Sequence, residues 1–266
     1  MKVGVAISVY NKSDFVMTNA AVLKKHWKVS PYLAVCCNDS STWKKLVAVD
    51  EIDEVVRGDD IEVVNINNPS CPRRKASLRK RQHDCIRKSV SAAAKGSDYV
   101  IHWHADAFAL SDSTVHSLVN EMQQKNISFA ARGLWKRWKS SKTPSGDIDD
   151  HFFVIRSDFV RESKIFAEES WDKVCSMIKR GVCSEGIVSS LVTETLPEEE
   201  IMIYSDMSEC EVPLHQASDS RYADKLPHRT LPPINIDPKR KFVHCDIYDQ
   251  LPVIFQRFGV PIDLIR

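Results

Sequence analysis

The chain has 266 residues, 43% of them hydrophobic and 27% charged, which is long enough to bury a real core and too apolar for long disorder. Its 37 Lys and Arg against 36 Asp and Glu leave a formal charge of +1, a balance that argues against a dedicated polyanion binder. The N-terminal apolar run is too short for a signal peptide and no run approaches the ~18 residues of a membrane span. The eight cysteines form no Cys-x-x-Cys pair, so the expectation is a cytoplasmic protein with reduced, buried thiols.

In chain order, Val3 to Val9 reads as a first buried strand and Tyr10-Asn11-Lys12-Ser13 as the turn after it. Phe15 to Trp27 has helical spacing, with Phe15, Asn19, Val22, Leu23 and Trp27 near one face. A second strand, Tyr32 to Cys37, ends in Asn38-Asp39-Ser40-Ser41. A helix from about Thr42 to Val49 and a weak strand at Glu54 to Arg57 or Glu62 to Ile66 follow. This βαβα rhythm predicts a parallel sheet with helical crossovers. After the breaker Asn67 to Pro72, a long helix is predicted over Arg73 to Lys95, then strand Tyr99 to Trp103, helix Ser113 to Lys125 and strand Ile127 to Arg132. Trp135 to Asp149 reads as a mobile loop, and Phe152 to Ile155 as a strand entered from it. Helices are expected over Asp158 to Phe166, Ser170 to Arg180 and Ser184 to Glu194. Beyond Pro197, Ile201 to Tyr204 and Lys241 to Cys245 read as strands and Gln250 to Phe258 as a helix. The proline-rich Pro213 to Pro238 is expected to wrap irregularly over the surface. The predicted architecture is a mostly parallel, Rossmann-like α/β sheet flanked by helices, with residues 1–200 as the main domain and 201–266 as an irregular C-terminal extension packed on it.

Asp98 to Asp106 is the densest signal in the chain. A short apolar strand there runs into His104 and Asp106, two residues apart at the strand end that faces the crevice of an open α/β sheet. If the chain stays extended, their side chains point the same way and can converge on one cation. Parallel strands place Ser8 to Asn11, Asn38 to Ser41 and His104 to Asp106 along the same edge.

Val3-Gly-Val-Ala-Ile-Ser-Val-Tyr-Asn11 resembles the opening strand and turn of family 2 type glycosyltransferases with the GT-A fold. Asn38-Asp39-Ser40-Ser41-Thr42 resembles the acidic, serine-rich turn after their second strand, and His104-Ala105-Asp106 stands where they carry Asp-x-Asp. The resemblance covers about the first 160 residues, and no glycine-rich phosphate loop competes with it. It implies a nucleotide-sugar co-substrate, a UDP-sugar by preference. Ser8, Tyr10 and Asn11 would lie at the base or ribose, Asp39 would accept from a uracil-like ring, and Asp106 would hold a metal bridging the diphosphate. His104 in place of the first acid shifts the preference from magnesium towards manganese. The family's habit of recruiting a distant histidine to the metal points to His244, with His215 and His228 behind it.

Eight basic residues lie between Arg73 and Lys88, and the resemblance implies that Arg79 or Arg81 approaches the diphosphate. The same stripe, with Trp135 to Lys139 interleaving aromatics and cations, fits a nucleic acid, which makes hydroxymethylated DNA an alternative acceptor to a glycan. Trp135 and Trp138 would close over the substrates. An acceptor hydroxyl needs a carboxylate base, for which Asp150 is the first choice and Glu185 the second. The competing readings are a nucleotidyltransferase and a non-catalytic sugar or nucleic-acid binding module.

Overall fold

The computed structural model describes residues 1–62, 64, 71–133, 148–206, 209–211 and 234–266. β1 (Val3–Val9) leads through α1 (Ser13–Ala21) to β2 (Tyr32–Cys37), and α2 (Ser40–Leu46) leads to β3 (Glu54–Arg57). The long α3 (Pro72–Ala94) returns to β4 (Tyr99–His104), from which the chain turns at Ala105 and Asp106 into β5 (Ala107–Ala109). There follow α4 (Asp112–Gln124), β6 (Phe129–Gly133), β7 (Ile148–Arg156), α5 (Ser157–Ser163), α6 (Trp171–Lys179), α7 (Ser184–Thr193) and β8 (Ile201–Asp206). β9 (Ile234–Asp237), β10 (Phe242–Cys245) and α8 (Leu251–Phe258) complete the described chain.

Seven strands form the central sheet in the order β3-β2-β1-β4-β7-β6-β8, parallel throughout except for β7, which runs against both its neighbours. The mostly parallel α/β sheet expected from the sequence is therefore the one the chain forms. The strand alternation explains how it is covered. Val3, Val5, Ile7 and Val9 of β1 belong to one large core with α1 and α4, while the alternate positions Gly4, Ala6 and Ser8 are small. α3 packs on that small-residue side, so closely that a Cβ on Gly4 would lie 2.6 Å from Ser97 Oγ and 3.0 Å from the Ala93 carbonyl. A second core of Ile86, Val90 and Ala93 from α3, Phe153 and Ile155 from β7, and Val188 from α7 fills this side.

Three details differ from the sequence reading. β7 begins at Ile148, so Asp149, Asp150 and His151 are residues of a buried strand and not of the loop before it. Ile234–Asp237, placed in an irregular wrap, is a fully buried strand that pairs with β10. Its alternating Ile234 and Ile236 have enough apolar surface to stay in the core despite the flanking prolines. Finally, α1 ends early because the backbone widens over Val22–His26, where the Trp27 N–H reaches back to the Val22 carbonyl. Trp135, Trp138, His215 and His228 lie outside the described residues, as does most of the alternative strand Glu62 to Ile66.

β5, β10 and β9 make a small antiparallel sheet. Residues far apart in sequence thus meet at one place, the edge where β1 and β4 end. No helix among the described residues is long and apolar enough to cross a membrane.

Candidate active site

A cavity of about 420 Å³ opens at the C-terminal ends of β1 and β4, lined by Ser8, Tyr10, Asn11, Asn38, Arg81 and Asp106 among others. Of the expected nucleotide-side residues it gathers Ser8, Tyr10, Asn11 and Arg81. The Arg81 guanidinium stacks 3.2 Å from the centroid of the Tyr10 ring, so one wall is a cation on an aromatic face. Arg79 is elsewhere, donating to the Gly181 carbonyl at 3.1 Å. Further along α3, Arg87 and Lys88 are tied up by Asp84 and Asp59, so the basic stripe is not the continuous solvated face that a tracked phosphate backbone needs.

Asp39 serves the fold and not the cavity. Its carboxylate accepts from the Thr42 N–H at 2.7 Å and caps α2, and hydrogen bonding with Ser41 and Thr42 lowers its pKa to about 2. The residue before it reaches the cavity instead. Asn38 is held by Asp84 Oδ2 and the Asp59 carbonyl, both 3.0 Å from its amide nitrogen.

Asp106 sits on the turn between the two sheets. The buried Asn19 side chain builds that turn, donating to the carbonyls of Ala105 at 2.9 Å and Ala107 at 3.1 Å while accepting from Trp103 Nε1 at 3.1 Å. The turn breaks the extended run on which convergence of His104 and Asp106 relied. Asp106 Oδ2 takes the Lys12 ammonium at 2.6 Å and lies 3.7 Å from His244 Nε2. Lys12 also reaches Asp246. Burial alone would raise the Asp106 pKa, but His244 and Lys12 hold it well below the usual carboxylate range.

His104 lines the same cavity but takes different hydrogen-bond partners. Its Nε2 accepts from the Gln82 amide at 3.3 Å, and Gln82 donates as well to Asp150 Oδ2 at 2.9 Å while accepting from Ser184 Oγ at 2.7 Å. Gln82 thereby ties α3 to β4, β7 and α7. Burial, with the charge on His151 nearby, lowers the His104 pKa to about 4, so the ring is neutral at pH 7.

Behind these groups runs a buried polar chain. Arg132 Nε donates to Asp149 Oδ2 at 2.8 Å, and both side chains are fully buried. Asp149 Oδ1 faces His151 Nδ1 at 3.0 Å, and Asp150 Oδ1 lies 3.4 Å from the same nitrogen. Burial opposes a charge on His151, yet the two carboxylates push its pKa well above 6.5. The His151 ring then packs 4.3 Å from His104 and 4.6 Å from His244, centroid to centroid. On the other flank Arg132 donates to Asn235 Oδ1 at 3.3 Å, which directs the Asn235 amide to His244 Nδ1 at 3.2 Å. With Nδ1 accepting, His244 carries its proton on the Nε2 that faces Asp106.

The structure therefore brings His104, Asp106, Asp150, Glu185 and His244 into one electrostatic neighbourhood, with His151 as the link between them. Burial, and next the charge of Asp150, raise the Glu185 pKa to about 7. Sequence reasoning missed Lys12, Gln82, Arg132 and Asp246 as members, and noted His151 only for its place beside the acids that precede Phe152.

Two groupings have the chemistry of a cation site. Asp149, Asp150 and His151 offer ligand atoms within 4.8 Å of one another, but Asp149 already neutralises Arg132. At Asp106 and Asp246, two carboxylates converge on one positive charge, the Lys12 ammonium, which stands where a cation would. One or two carboxylates completed by substrate phosphates is the usual way a magnesium-like ion is held, so the residues at Asp106 fit a divalent cation.

No protein-family model matches the chain, and no curated protein matches it in sequence. Among solved structures it is similar to the galactosyltransferase LgtC in complex with donor and acceptor sugar analogues, with a TM-score of 0.53 at 11% identity over 98% of this chain and 94% of that one. Mouse xyloside xylosyltransferase 1 in its apo form gives 0.48 at 10% identity over 92% and 97%. A cytidylyltransferase from Leptospira borgpetersenii gives 0.44 at 13% over 77% and 76%. What the first of these likenesses carries is the architecture: this chain has a GT-A-type α/β fold.

Proposed function

We propose that the chain is a glycosyltransferase that moves a sugar from a nucleotide-sugar, a UDP-sugar by preference, to an acceptor hydroxyl. The observation that carries this reading is the cavity at the ends of β1 and β4. On one side it has an Arg81–Tyr10 wall suited to a nucleotide, and on the other Asp106, beside a buried acid–histidine cluster.

In this reading Ser8, Tyr10, Asn11 and Asn38 line the nucleoside end, with Arg81 at the diphosphate. Asp106, with Asp246, holds the divalent cation, manganese by preference and magnesium as the alternative, which when bound neutralises charge on the leaving diphosphate. His244 and His104 support this site from the side: His244 Nε2 faces Asp106 at 3.7 Å, and His104, kept neutral, packs between Gln82 and His151. Of the two acids, Glu185 suits the proton-accepting role better, because a carboxyl ionising near pH 7 matches the demand of general-base work. Asp150 is enclosed by Gln82, His104 and His151 and acts by positioning them. A glycan hydroxyl and hydroxymethylated DNA are the two candidate acceptors, and each is an arm of the test. The reading includes a cytoplasmic setting, a compartment in which thiols stay reduced.

The test is release of nucleotide from UDP-, GDP- and CDP-sugars by the purified protein with manganese, with and without a glycan acceptor or hydroxymethylated DNA. One donor should be turned over, and Asp106→Asn should lose at least about 100-fold in rate with its unfolding temperature retained. Nucleotide binding without turnover of any donor would favour a binding module. Pyrophosphate release from a nucleoside triphosphate and a sugar phosphate would favour a nucleotidyltransferase.

A further inference from the structure

Lys12 has no part in the proposed transfer chemistry, yet its ammonium is in direct contact with the central carboxylate. It stands between β1 and α1, about one-third exposed, and donates to Asp106 Oδ2 at 2.6 Å and to Asp246. The ammonium lies 5.4 Å from the centroid of the Phe15 ring, and the side chain lines the cavity. The oxygen it holds is the one that faces His244 Nε2 at 3.7 Å. A divalent ion bound through that oxygen would stand about 2.0–2.1 Å from it, for magnesium, where an ammonium in hydrogen-bond contact already sits. At that oxygen the two cations compete.

The two carboxylates also explain why the lysine stays where it is. Asp246 is half exposed and Asp106 nearly buried, so together they hold the ammonium at the cavity rim and not out in solvent. A lysine carries a compact charge on a flexible four-carbon stem and binds phosphate as a point charge. An anionic diphosphate entering the cavity therefore offers the ammonium a second partner within the same small space.

Resting on the proposed nucleotide-sugar reading, we infer that Lys12 is an exchangeable counter-ion. It and a divalent cation are alternative occupants of the Asp106–Asp246 locus, and the displaced ammonium passes to the donor's diphosphate. Metal and nucleotide then load together, because each makes room for the other. A coupling of this kind is reciprocal between the two ligands.

The experiment measures two affinities on the full chain: manganese alone, by electron paramagnetic resonance, and UDP in saturating manganese, by calorimetry. In Lys12→Met manganese should bind at least about tenfold more tightly and UDP at least about tenfold more weakly, while Lys12→Arg, which keeps the cation, should stay near wild type in both. Opposite signs are the signature, because a purely structural role would weaken both. Lys12→Gln, polar at this partly exposed position, replaces the Met variant if thermal unfolding shows that one to be misfolded. Unchanged or weaker manganese binding in the neutral variants overturns the exchange. Binding of UDP with no manganese bound by any variant overturns the metal assignment at Asp106, and the exchange with it.

Discussion

At the scale of single residues, the site is organised by pushing neighbouring ionisable groups apart. Asp106 and Asp149 are held as anions, His151 as a cation and His104 as a neutral ring, and Glu185 is left near the middle of the scale. The position of Glu185 has opposite consequences for rate and for stability. Its pKa is about 7 in the folded chain against an ordinary 4.5. Below the ordinary value both states are protonated and nothing is lost. Between the two values the unfolded chain gives up the proton that the folded chain keeps, so stability falls as pH rises, and above about pH 7 the full penalty is present. Glu185→Gln carries no such penalty. Denaturant melts should show it matching wild type below the ordinary value of 4.5 and exceeding it by a growing margin up to neutrality. Transfer should behave inversely: the wild-type rate should climb as pH rises through about 7, whereas the Gln variant should be roughly 100-fold slower or more and flat across that range. A Gln variant that kept the wild-type pH profile would move the base elsewhere, with Asp150 next in line.

At the scale of elements, the strands and helices that frame the cavity are written locally and the site is not. The alternation of Val and Ile with Gly, Ala and Ser in Val3–Val9, the apolar run Tyr99–Trp103 and the breaker before Pro72 each reveal their element without outside help. The turn that aims Asp106 depends on Asn19, which lies 86 residues before Ala105, and the partner of Lys12 at Asp246 lies 234 residues away. Periodicity cannot encode such contacts, so it could place His104 and Asp106 at one cavity without naming the different partner each takes there. Asp149 was misplaced for a related reason: an acid reads as loop until the buried Arg132 across the sheet is known. Asn19 gives a direct test of the turn. Asn19→Leu fits the volume but leaves the Trp103 indole N–H and two carbonyls unpaired, at a cost of about 1–3 kcal/mol per buried group. Chemical denaturation should register that loss. Because the same amide positions Asp106, donor turnover per folded molecule should fall as well. A variant that loses stability and retains full turnover would show that the turn is held without Asn19.

At the scale of the whole molecule, the two ends of the sequence close on its middle. β10 pairs with β5, and Cys245 N–H donates to the Asp106 carbonyl at 2.8 Å, so the strand carrying His244 is bonded to the turn carrying Asp106. The ring of Phe242 stacks on Phe152 of β7 at 4.7 Å, and β8 adds a seventh strand to the central sheet. Ten side chains beyond Pro233, from Ile234 to Leu264, are buried in the same core as Val5 and Trp103. At about 1.5–3 kcal/mol for each fully buried aliphatic or aromatic side chain, removing them takes away more than the ~5–15 kcal/mol by which a whole domain is stable. The described residues from 234 onward are accordingly packed into the core that holds the site. A chain cut after Asp206 keeps every strand of the central sheet and every residue lining the cavity wall at Ser8, Tyr10 and Asn38. It should nonetheless fail to unfold cooperatively in calorimetry, because β5 loses β10, its partner among the described strands of the small sheet, and Phe152 and Phe108 lose the rings of Phe242 and Phe255. A truncated chain with a sharp transition and retained nucleotide binding would instead make the C-terminal segment a separable cover, with Asp106 aimed by Asn19 alone.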